Sequence, residues 1–314
     1  MSPPITSPRL FSTPSGANMY GFYTTPTTSF HRGILLIVHG MMEHALRYQS
    51  VTDHLAGAGY HVYRVDHHAH GETAHHFPHL SIGQLPQSIN WDSWTRDLGS
   101  IAAHCQSQHP NLPLTLWGHS MGSYLVMSAS MQHHVPCRNL ILSGTAWQPR
   151  FLTQSGYVLA RILGRLHGKN TPARLIHHLV FGPYAAQFHP RRTPYDWLSR
   201  DSKAVDAYIN DPRCGTICDY HFFATLFSGL HTLFQPHLLA QIPRIPILIL
   251  AGTDDAISGK SQRLLRRLID CLHTTHGRLL HVLDYKGARH ELIHELKDRK
   301  STRLNSSHQI ISYA

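Results

Sequence analysis

The chain has 314 residues, of which 42% are hydrophobic, and a formal net charge of +10. This length and composition predict a full α/β core that also carries one large insertion. The basic residues are scattered rather than gathered with aromatic residues on one helix face, so nucleic acid is not an expected partner. A basic surface does favour approach to anionic lipid interfaces, and we expect transient contact with a membrane surface.

The hydrophobic pattern and the cysteines indicate a cytoplasmic location. No stretch approaches the roughly 18 apolar residues of a membrane span, and the N-terminus has no basic-then-apolar signal pattern. The five cysteines are odd in number and scattered along the chain. Only Cys214 and Cys218 are close, and no second pair completes a zinc site, so we expect reduced thiols.

The 29 histidines are unusually many. Pairs occur at 67/68, 75/76, 133/134 and 177/178, but none forms a His-x-x-x-His pair beside a glutamate in a helical setting. We therefore expect no metal and no cofactor, and we interpret most of these histidines as solvated or lightly packed.

Elements of the first part of the chain alternate between strand and helix. Residues 7–30 predict an antiparallel hairpin at a sheet edge, and the apolar run 33–38 predicts a strand buried on both faces. The further elements expected before residue 144 are a helix over 47–58, a strand over 60–65, a helix over 93–108 capped by Asp92, and strands over 114–117 and 138–143. This alternation predicts a mostly parallel sheet with helices on both faces.

The stretch 118–122 reads Gly-His-Ser-Met-Gly, which is a G-x-S-x-G pentapeptide. It follows the predicted strand 114–117 and precedes an apolar run with helical spacing from Ser123. Strand, sharp turn with a central serine, then helix is the context of a nucleophile elbow. A Cβ atom at Gly118 or Gly122 would collide with the neighbouring strand or helix, which explains both glycines.

The alternation is interrupted between residues 145 and 230, where helical fragments occur without a clear buried strand. We interpret this segment as a mainly helical cap over the edge of the sheet where ligands bind in open α/β folds. The core then resumes with a strand over 247–251, a helix over 261–271 and a strand over 278–283. The predicted domains are therefore a core formed by 1–144 and 231–296, and a cap formed by 145–230.

The last stretch of the chain is set apart from this organisation. Residues 298–308 resemble a read-through translation of a sequencing-adapter oligonucleotide, and they have no apolar periodicity. We interpret 297–314 as a non-native tail that cuts the last natural helix short.

Three residues that follow strand ends form the expected catalytic set. A serine hydroxyl needs a base to take its proton, and the base needs an acid to fix its tautomer. Ser120, Asp255 and His290 occur in the serine, acid, histidine order of α/β-hydrolases, each just past a predicted strand. The Gly-x-x-Asp spacing selects Asp255 as the acid, and Asp254 is the alternative.

Two backbone N–H groups are candidates for the oxyanion hole. One belongs to Met121, the residue after the nucleophile. The other belongs to Met41, because Gly40 follows the buried strand 33–38 and lets the backbone turn toward a cavity. The alternative for this second loop is an ordinary strand-to-helix connection.

Five separated motifs carry a family resemblance over residues 7–296. They are His39-Gly-Met-Met-Glu-His-Ala-Leu-Arg-Tyr48, Asp66-His-His-Ala-His-Gly71, Gly118-His-Ser-Met-Gly122, Gly252-Thr-Asp-Asp255 and Gly287-Ala-Arg-His-Glu-Leu292. In this order they resemble the monoacylglycerol lipase and lysophospholipase branch of the serine α/β-hydrolases, and the stretch 192–215 is similar to caps of bacterial lysophospholipases.

This resemblance implies an α/β-hydrolase fold with Ser120, Asp255 and His290 as the triad. It also implies that Met41 and Met121 supply the oxyanion donors. The expected activity is hydrolysis of single-chain lipid esters, monoacylglycerol or lysophospholipid, through an acyl-enzyme. The cap would make the transient membrane contact.

Three further residues match positions beside the polar end of the site in those lipases. By the resemblance, Glu43, Arg47 and His119 line or brace the glycerol end of the site. A structural ion pair that holds the oxyanion loop explains Glu43 and Arg47 equally well.

The chain departs from the family pattern beside the site, with Leu46 where small residues are usual and His68-Ala69 where Arg-Gly is usual. These departures affect the prediction of the substrate more than the prediction of the reaction type. The alternatives are an aminopeptidase or thioesterase on the same scaffold, and a non-catalytic hydrolase-like binding module. A proline-directed aminopeptidase needs an acidic anchor in the cap, for which Asp196, Asp201 and Asp206 are the candidates.

Overall fold

A single eight-stranded sheet organises the computed structural model, which describes residues 3–76, 80–132 and 135–296, leaving aside the side chain of residue 132. The strands are β1 (Thr6–Phe11), β2 (Met19–Thr24), β3 (Gly33–Val38), β4 (Tyr60–Val65), β5 (Leu114–His119), β6 (Cys137–Ser143), β7 (Ile247–Gly252) and β8 (Leu280–Tyr285). The predicted tail over 297–314 and the histidine pair 133/134 lie outside the described residues.

The strand order is β1-β2-β4-β3-β5-β6-β7-β8. The hairpin β1-β2 is antiparallel and pairs antiparallel with β4, and every other pairing is parallel. Strands β3, β5 and β7 are buried at every position, as continuous apolar runs require when helices cover both faces of a sheet. The predicted α/β architecture with an antiparallel edge hairpin is confirmed.

Helices cover the sheet and fill the long connection between β6 and β7. They are α1 (Gln49–Gly57), α2 (Gly71–His75), α3 (Trp91–Gln108), α4 (Met121–Gln132), α5 (Arg150–His167), α6 (Arg174–Ala185), α7 (Ser202–Asn210), α8 (Tyr220–Leu233), α9 (Pro236–Leu239) and α10 (Arg263–His276). Short 3₁₀ turns occur at Ala45–Tyr48, Ala256–Ser258, Lys260–Gln262, Gly277–Leu279 and Leu292–His294.

The start of α3 differs from the sequence prediction. Asn90, not Asp92, is the N-cap residue: its side chain accepts a hydrogen bond from the Ser93 N–H, and the Ser93 hydroxyl accepts one from the Asn90 N–H, both at 2.9 Å. This is a capping box, in which two helix-end donors are satisfied reciprocally. Asp92 lies in the first turn, where a carboxylate still suits the helix dipole.

The segment 145–230 contains helices and no strand, as its pattern predicts, although a single bridge joins Pro172 to Asp219. Its predicted end at residue 230 lies inside α8, which continues to Leu233. Helices α5 and α8 pack along each other, and Gly156 lies so close to the Phe227 ring that a Cβ atom there would come within 2.8 Å of it.

One histidine pair is an exception to the solvated or lightly packed majority. His67 and His68 are fully buried, whereas 75/76 and His178 are exposed. Each ring has a partner within the fold, since His67 Nε2 lies 3.0 Å from the His39 carbonyl and His68 Nε2 lies 2.9 Å from Asp97. Sequence spacing gave no sign of these distant partners.

Within the described ranges, no helix combines the length and apolar character needed to cross a bilayer.

Candidate active site

Ser120 occupies the sharp turn between β5 and α4, with a left-handed φ of +51°. Its N–H donates a hydrogen bond to the Ser143 carbonyl at the end of β6 (2.8 Å). A Cβ atom at Gly118 would overlap the Gly122 carbonyl, and one at Gly122 would overlap the Val38 carbonyl of β3. The two glycines therefore permit a backbone approach that any larger residue would prevent, and the serine conformation is the strained one of a nucleophile elbow.

The loop after β3 lies against this elbow. A Cβ atom at Gly40 would come within 3.2 Å of the Ser120 Cβ, so the two turns are adjacent. Among the described residues, neither the Met41 N–H nor the Met121 N–H donates a hydrogen bond to another protein group. Two unpaired donors beside a serine are what an oxyanion hole requires.

Met42 ties the same loop to the rest of the molecule. Its N–H donates to His70 Nε2 (3.1 Å) in the loop after β4. Its carbonyl accepts hydrogen bonds from the Tyr208 hydroxyl (2.9 Å) and the Gly215 N–H (3.0 Å) of the inserted segment. The position of the loop after β3, which carries the candidate oxyanion donor Met41, therefore depends on contacts with the loop after β4 and with the inserted segment.

His290 and Asp255 meet at the same edge of the sheet. His290 Nδ1 lies 3.0 and 3.1 Å from the two carboxylate oxygens of Asp255, and both residues are buried. Asp254 is exposed, and its carboxylate accepts a hydrogen bond from Thr253 instead. The geometry thus favours Asp255 over Asp254 as the partner of the imidazole.

The neighbours of the His290 ring fix its environment. The His119 ring lies at 4.7 Å between centroids and the Trp197 ring at 5.0 Å. A Cβ atom at Gly144 would come within 2.7 Å of His290 Cε1, so the end of β6 also packs on the imidazole. His290 is thereby packed against Trp197, against the residue that precedes Ser120 and against the turn that follows β6.

Burial and neighbouring charges shift the pKa of His290 in opposite directions. Burial alone would lower its pKa, but the charge and hydrogen bond of Asp255, assisted by Glu291 and Glu43, raise the pKa above its usual value. Burial and the neighbouring His290 lower the pKa of His119 to about 4, so this second imidazole is neutral. The site therefore holds one imidazole suited to take a proton and one that stays uncharged.

His119 and Trp117 both contact the buried hydroxyl of Ser143. His119 Nδ1 and Trp117 Nε1 each lie 3.1 Å from the Ser143 Oγ. The sequence placed His119 at the polar end of the site by resemblance alone, and the structure brings it against His290.

Glu43 and Arg47 form the ion pair that was the structural alternative. Arg47 donates to the Glu43 carboxylate (2.6 Å). The other oxygen of Glu43 accepts from the Gly40 N–H (2.6 Å) and the Tyr48 hydroxyl (2.9 Å). Both side chains are thus engaged by the protein itself, and Glu43 is hydrogen-bonded to the backbone of the loop that follows β3.

Glu291 is a site residue that sequence reasoning missed. Its carboxylate accepts two parallel hydrogen bonds from the Arg47 guanidinium, at 2.6 and 2.7 Å. The only available signal was its place directly after His290, which gives no indication of a partner so distant in sequence.

The departure at residues 68 and 69 has a local structural consequence. His68 pairs with the buried Asp97, and Ala69 adopts a φ of +67°, a conformation that glycine accommodates with less strain. The protein therefore carries backbone strain in the loop after β4, next to His70, which contacts Met42.

One group of metal-ligating residue types occurs in the described chain. His44, Asp211 and Cys214 have ligand atoms within 4.8 Å of one another. Arg213 already donates two hydrogen bonds of 3.0 Å to the Asp211 carboxylate, and burial raises the pKa of the Cys214 thiol. A paired carboxylate and a protonated thiol are poor ligands, so we assign no metal to this group.

Comparisons with known proteins relate most of the chain to serine hydrolases. The family model described as serine aminopeptidase, S33 (Hydrolase_4) matches residues 29–297. The monoacylglycerol lipase of Mycolicibacterium smegmatis is 27% identical over 273 residues, covering 86% of this chain and 85% of that protein. Human monoglyceride lipase is 25% identical over 295 residues, covering 90% and 83%.

Among solved structures, a thermostable carboxyl esterase from Bacillus coagulans in complex with glycerol superimposes with a TM-score of 0.85. It is 25% identical and the match covers 98% of this chain and 97% of that one.

The fold and the comparisons define a serine hydrolase with the α/β-hydrolase fold. Since the family model spans well over half of the sequence, the chain belongs to the serine aminopeptidase, S33 family.

The Asp255–His290 contact predicts a specific pH dependence. The neutral imidazole of His290 is the form that accepts a proton, and the pKa of His290 is raised above its usual value of 6.5. We therefore expect kcat/KM to fall as the pH drops through that raised pKa. Asp255→Asn should lower kcat/KM by about 10³–10⁴-fold, because it removes the charge and favours the wrong tautomer. The measurement is the pH profile of p-nitrophenyl ester hydrolysis.

Asp254→Asn is the matched control, since it makes the same change on the adjacent exposed residue and should leave the profile near wild type. A large loss in Asp254→Asn with a small one in Asp255→Asn would contradict the assignment.

Proposed function

We propose that this protein hydrolyses the ester bond of single-chain lipids, either monoacylglycerols or lysophospholipids. The observation that carries the proposal is the elbow serine, Ser120, in left-handed conformation next to His119, whose ring lies 4.7 Å from the imidazole of the buried His290–Asp255 pair. The names of the relatives, monoacylglycerol lipase and monoglyceride lipase, support a lipid ester as substrate. The glycerol bound by the similar carboxyl esterase supports a glycerol-type alcohol.

In the proposed mechanism, Ser120 Oγ attacks the ester carbonyl while His290 Nε2 takes the serine proton. Asp255 holds the opposite ring nitrogen and stabilises the imidazolium. The N–H groups of Met41 and Met121 stabilise the oxyanion, each contributing about 10²–10³ in rate. His290 then protonates the departing alcohol, and the acyl group remains on Ser120.

Deacylation repeats these steps with water. His290 takes a proton from a water molecule, which attacks the acyl carbonyl, and the fatty acid leaves as the proton returns to Ser120. No cofactor takes part in either half of this proposal.

The aminopeptidase alternative needs a free carboxylate for the substrate's amino group. The three candidates in the insertion are engaged elsewhere: Asp196 accepts hydrogen bonds from Thr193, Asp201 caps α7 through the Lys203 N–H, and the half-exposed Asp206 pairs with Arg192. This pattern supports the ester hydrolase over the peptidase, although the family carries a peptidase description.

We also propose that 145–230 acts as a cap and contacts membranes. The outer side of α5 exposes a stripe of large apolar residues, of which Phe151 is 73% and Leu166 is 71% exposed. Exposed cations, Arg161, Arg165 and Lys169, lie along the same helix and its end. An exposed apolar stripe beside cations is complementary to an anionic lipid surface. The cytoplasm remains the proposed compartment, supported by five unpaired cysteines.

The activity is tested by fatty acid release from 1-monoacylglycerol and lysophosphatidylcholine, side by side, with wild type and Ser120→Ala. We expect release from at least one lipid and its loss in Ser120→Ala, because no other nucleophile replaces the hydroxyl. The ratio of the two rates identifies the preferred head group. Turnover that persists in Ser120→Ala would overturn the mechanism, and no turnover of either lipid would overturn the proposed substrate class.

The membrane contact is tested with the double variant Phe151→Ser/Leu166→Ser. We expect weaker sedimentation with vesicles of phosphatidylcholine and phosphatidylglycerol, but unchanged hydrolysis of a soluble p-nitrophenyl ester, since both substituted side chains are exposed and neither is one of the proposed catalytic groups. The matched control, Ile5→Ser/Phe30→Ser, removes two equally exposed apolar residues outside the segment. Equal vesicle binding by all three proteins would show that α5 is not the contact.

A further inference from the structure

A buried chain of three charged side chains connects the two loops that carry the proposed catalytic groups. Arg47 lies at its centre, with Glu43 on one side at 2.6 Å and Glu291 on the other at 2.6 and 2.7 Å. The exposed fractions of these side chains are 9% for Arg47, 3% for Glu43 and 6% for Glu291. We call this group the carboxylate–arginine bridge.

Each end of the bridge is fixed to a different loop. Glu43 accepts a hydrogen bond from the backbone N–H of Gly40, the residue before Met41. Glu291 follows His290 directly, and its own N–H donates to the Leu198 carbonyl (2.8 Å). The two paired hydrogen bonds between Arg47 and Glu291 therefore determine how the histidine loop lies relative to the oxyanion loop, because a bidentate pair fixes orientation as well as distance.

The polar atoms of Glu43 and the guanidinium of Arg47 are engaged by other protein groups. One Glu43 oxygen accepts from Gly40 and Tyr48, and the other accepts from Arg47. Arg47 is further covered by the Tyr208 ring, whose centroid lies 4.9 Å from the guanidinium carbon. These contacts indicate a role in holding the site rather than in binding a head group.

The bridge also carries surplus negative charge. Burial alone would raise the pKa of Glu43, but Arg47 and the hydrogen bonds outweigh it and lower the pKa to about 2. Burial would likewise raise the pKa of Glu291, but Arg47 outweighs this effect and lowers the pKa. Both carboxylates therefore remain ionised around one guanidinium. Two negative charges against one positive charge leave a net charge of about −1 close to His290.

The charges that face His290 come from several elements. Asp255, in the loop after β7, acts most strongly, and Glu291 and Glu43 follow in raising the pKa of His290. His119, at the end of β5, is neutral because its own pKa is lowered to about 4. The positive charge of Arg47 is smaller than the summed negative charge of the two glutamates. The Trp197 ring that contacts His290 is uncharged.

We propose that Glu291 is a positioning residue for the hydrolysis: through Arg47 it fixes the histidine loop against the oxyanion loop, and its charge stabilises the imidazolium that forms at His290. The inference rests on the proposed function, since it assumes that Ser120 and His290 react. It assigns a role to a residue that touches neither substrate nor the reacting atoms.

The test is the pH dependence of fluorophosphonate labelling and of p-nitrophenyl ester hydrolysis in Glu291→Gln. The substitution keeps the shape of the side chain and removes its charge, so the pKa of His290 should drop. The neutral imidazole then persists to lower pH, and the acid limb of both profiles should move to lower pH. We expect kcat to fall about 10- to 100-fold through lost positioning, with a smaller change in KM.

Glu295→Gln is the matched control, because Glu295 is a similarly buried carboxylate that pairs with Arg200 instead of Arg47. It should leave the acid limb in place. If Glu291→Gln does not fold, as judged by its melting curve, Glu43→Gln removes the other charge of the bridge and should give a smaller shift in the same direction.

The outcomes separate the inference from the proposed function. A wild type that is neither labelled nor active contradicts the proposed function. A labelled wild type with the same acid limb in Glu291→Gln and Glu43→Gln overturns the inference, as does an equal shift in Glu295→Gln.

Discussion

The close approach of the elbow to strand β3 is the constraint on which the rest of the site depends. Gly122 lies against the Val38 carbonyl so closely that a single methyl group would overlap it. That approach places the start of α4 beside the loop that follows β3, and with it the free N–H groups of Met41 and Met121. A protein interior packed at this density has no room to relax around a larger residue.

Buried charge is the second organising feature. The fold places Glu43, Arg47 and Glu291 out of water, which is costly unless every charge is paired and hydrogen-bonded. Here the partners belong to loops separated by most of the chain, so their pairing constrains tertiary arrangement more than local structure. The same region buries His39, His67 and His70, whose neutral rings serve as hydrogen-bond partners between loops.

Local sequence pattern predicted the elements and the elbow well, because both depend on neighbouring residues. The run 33–38 matched β3 at both ends, and the glycines around Ser120 indicated the steric role that the structure shows. The Gly-x-x-Asp spacing favoured Asp255, which is the aspartate that contacts His290. These features are encoded within a few residues of one another.

Features that depend on distant partners were not predictable in the same way. The sequence left Glu43 and Arg47 between two roles, because the contact between Arg47 and Glu291 joins residues 244 positions apart. The sequence also gave no indication that His67 and His68 are buried, since their acceptors, the His39 carbonyl and Asp97, are brought near them only by the fold. The cap of α3 is a local exception: the sequence predicts Asp92, whereas the structure has the reciprocal pair of Asn90 and Ser93, only three residues apart.

Mapping of a fluorophosphonate adduct by mass spectrometry on the intact protein tests whether Ser120 is an activated nucleophile. We expect one adduct, on Ser120, formed quickly in the wild type and abolished when His290 is replaced by alanine. Labelling at another residue, or labelling of Ser120 at an undiminished rate without His290, would contradict the assignment of an activated serine at the elbow.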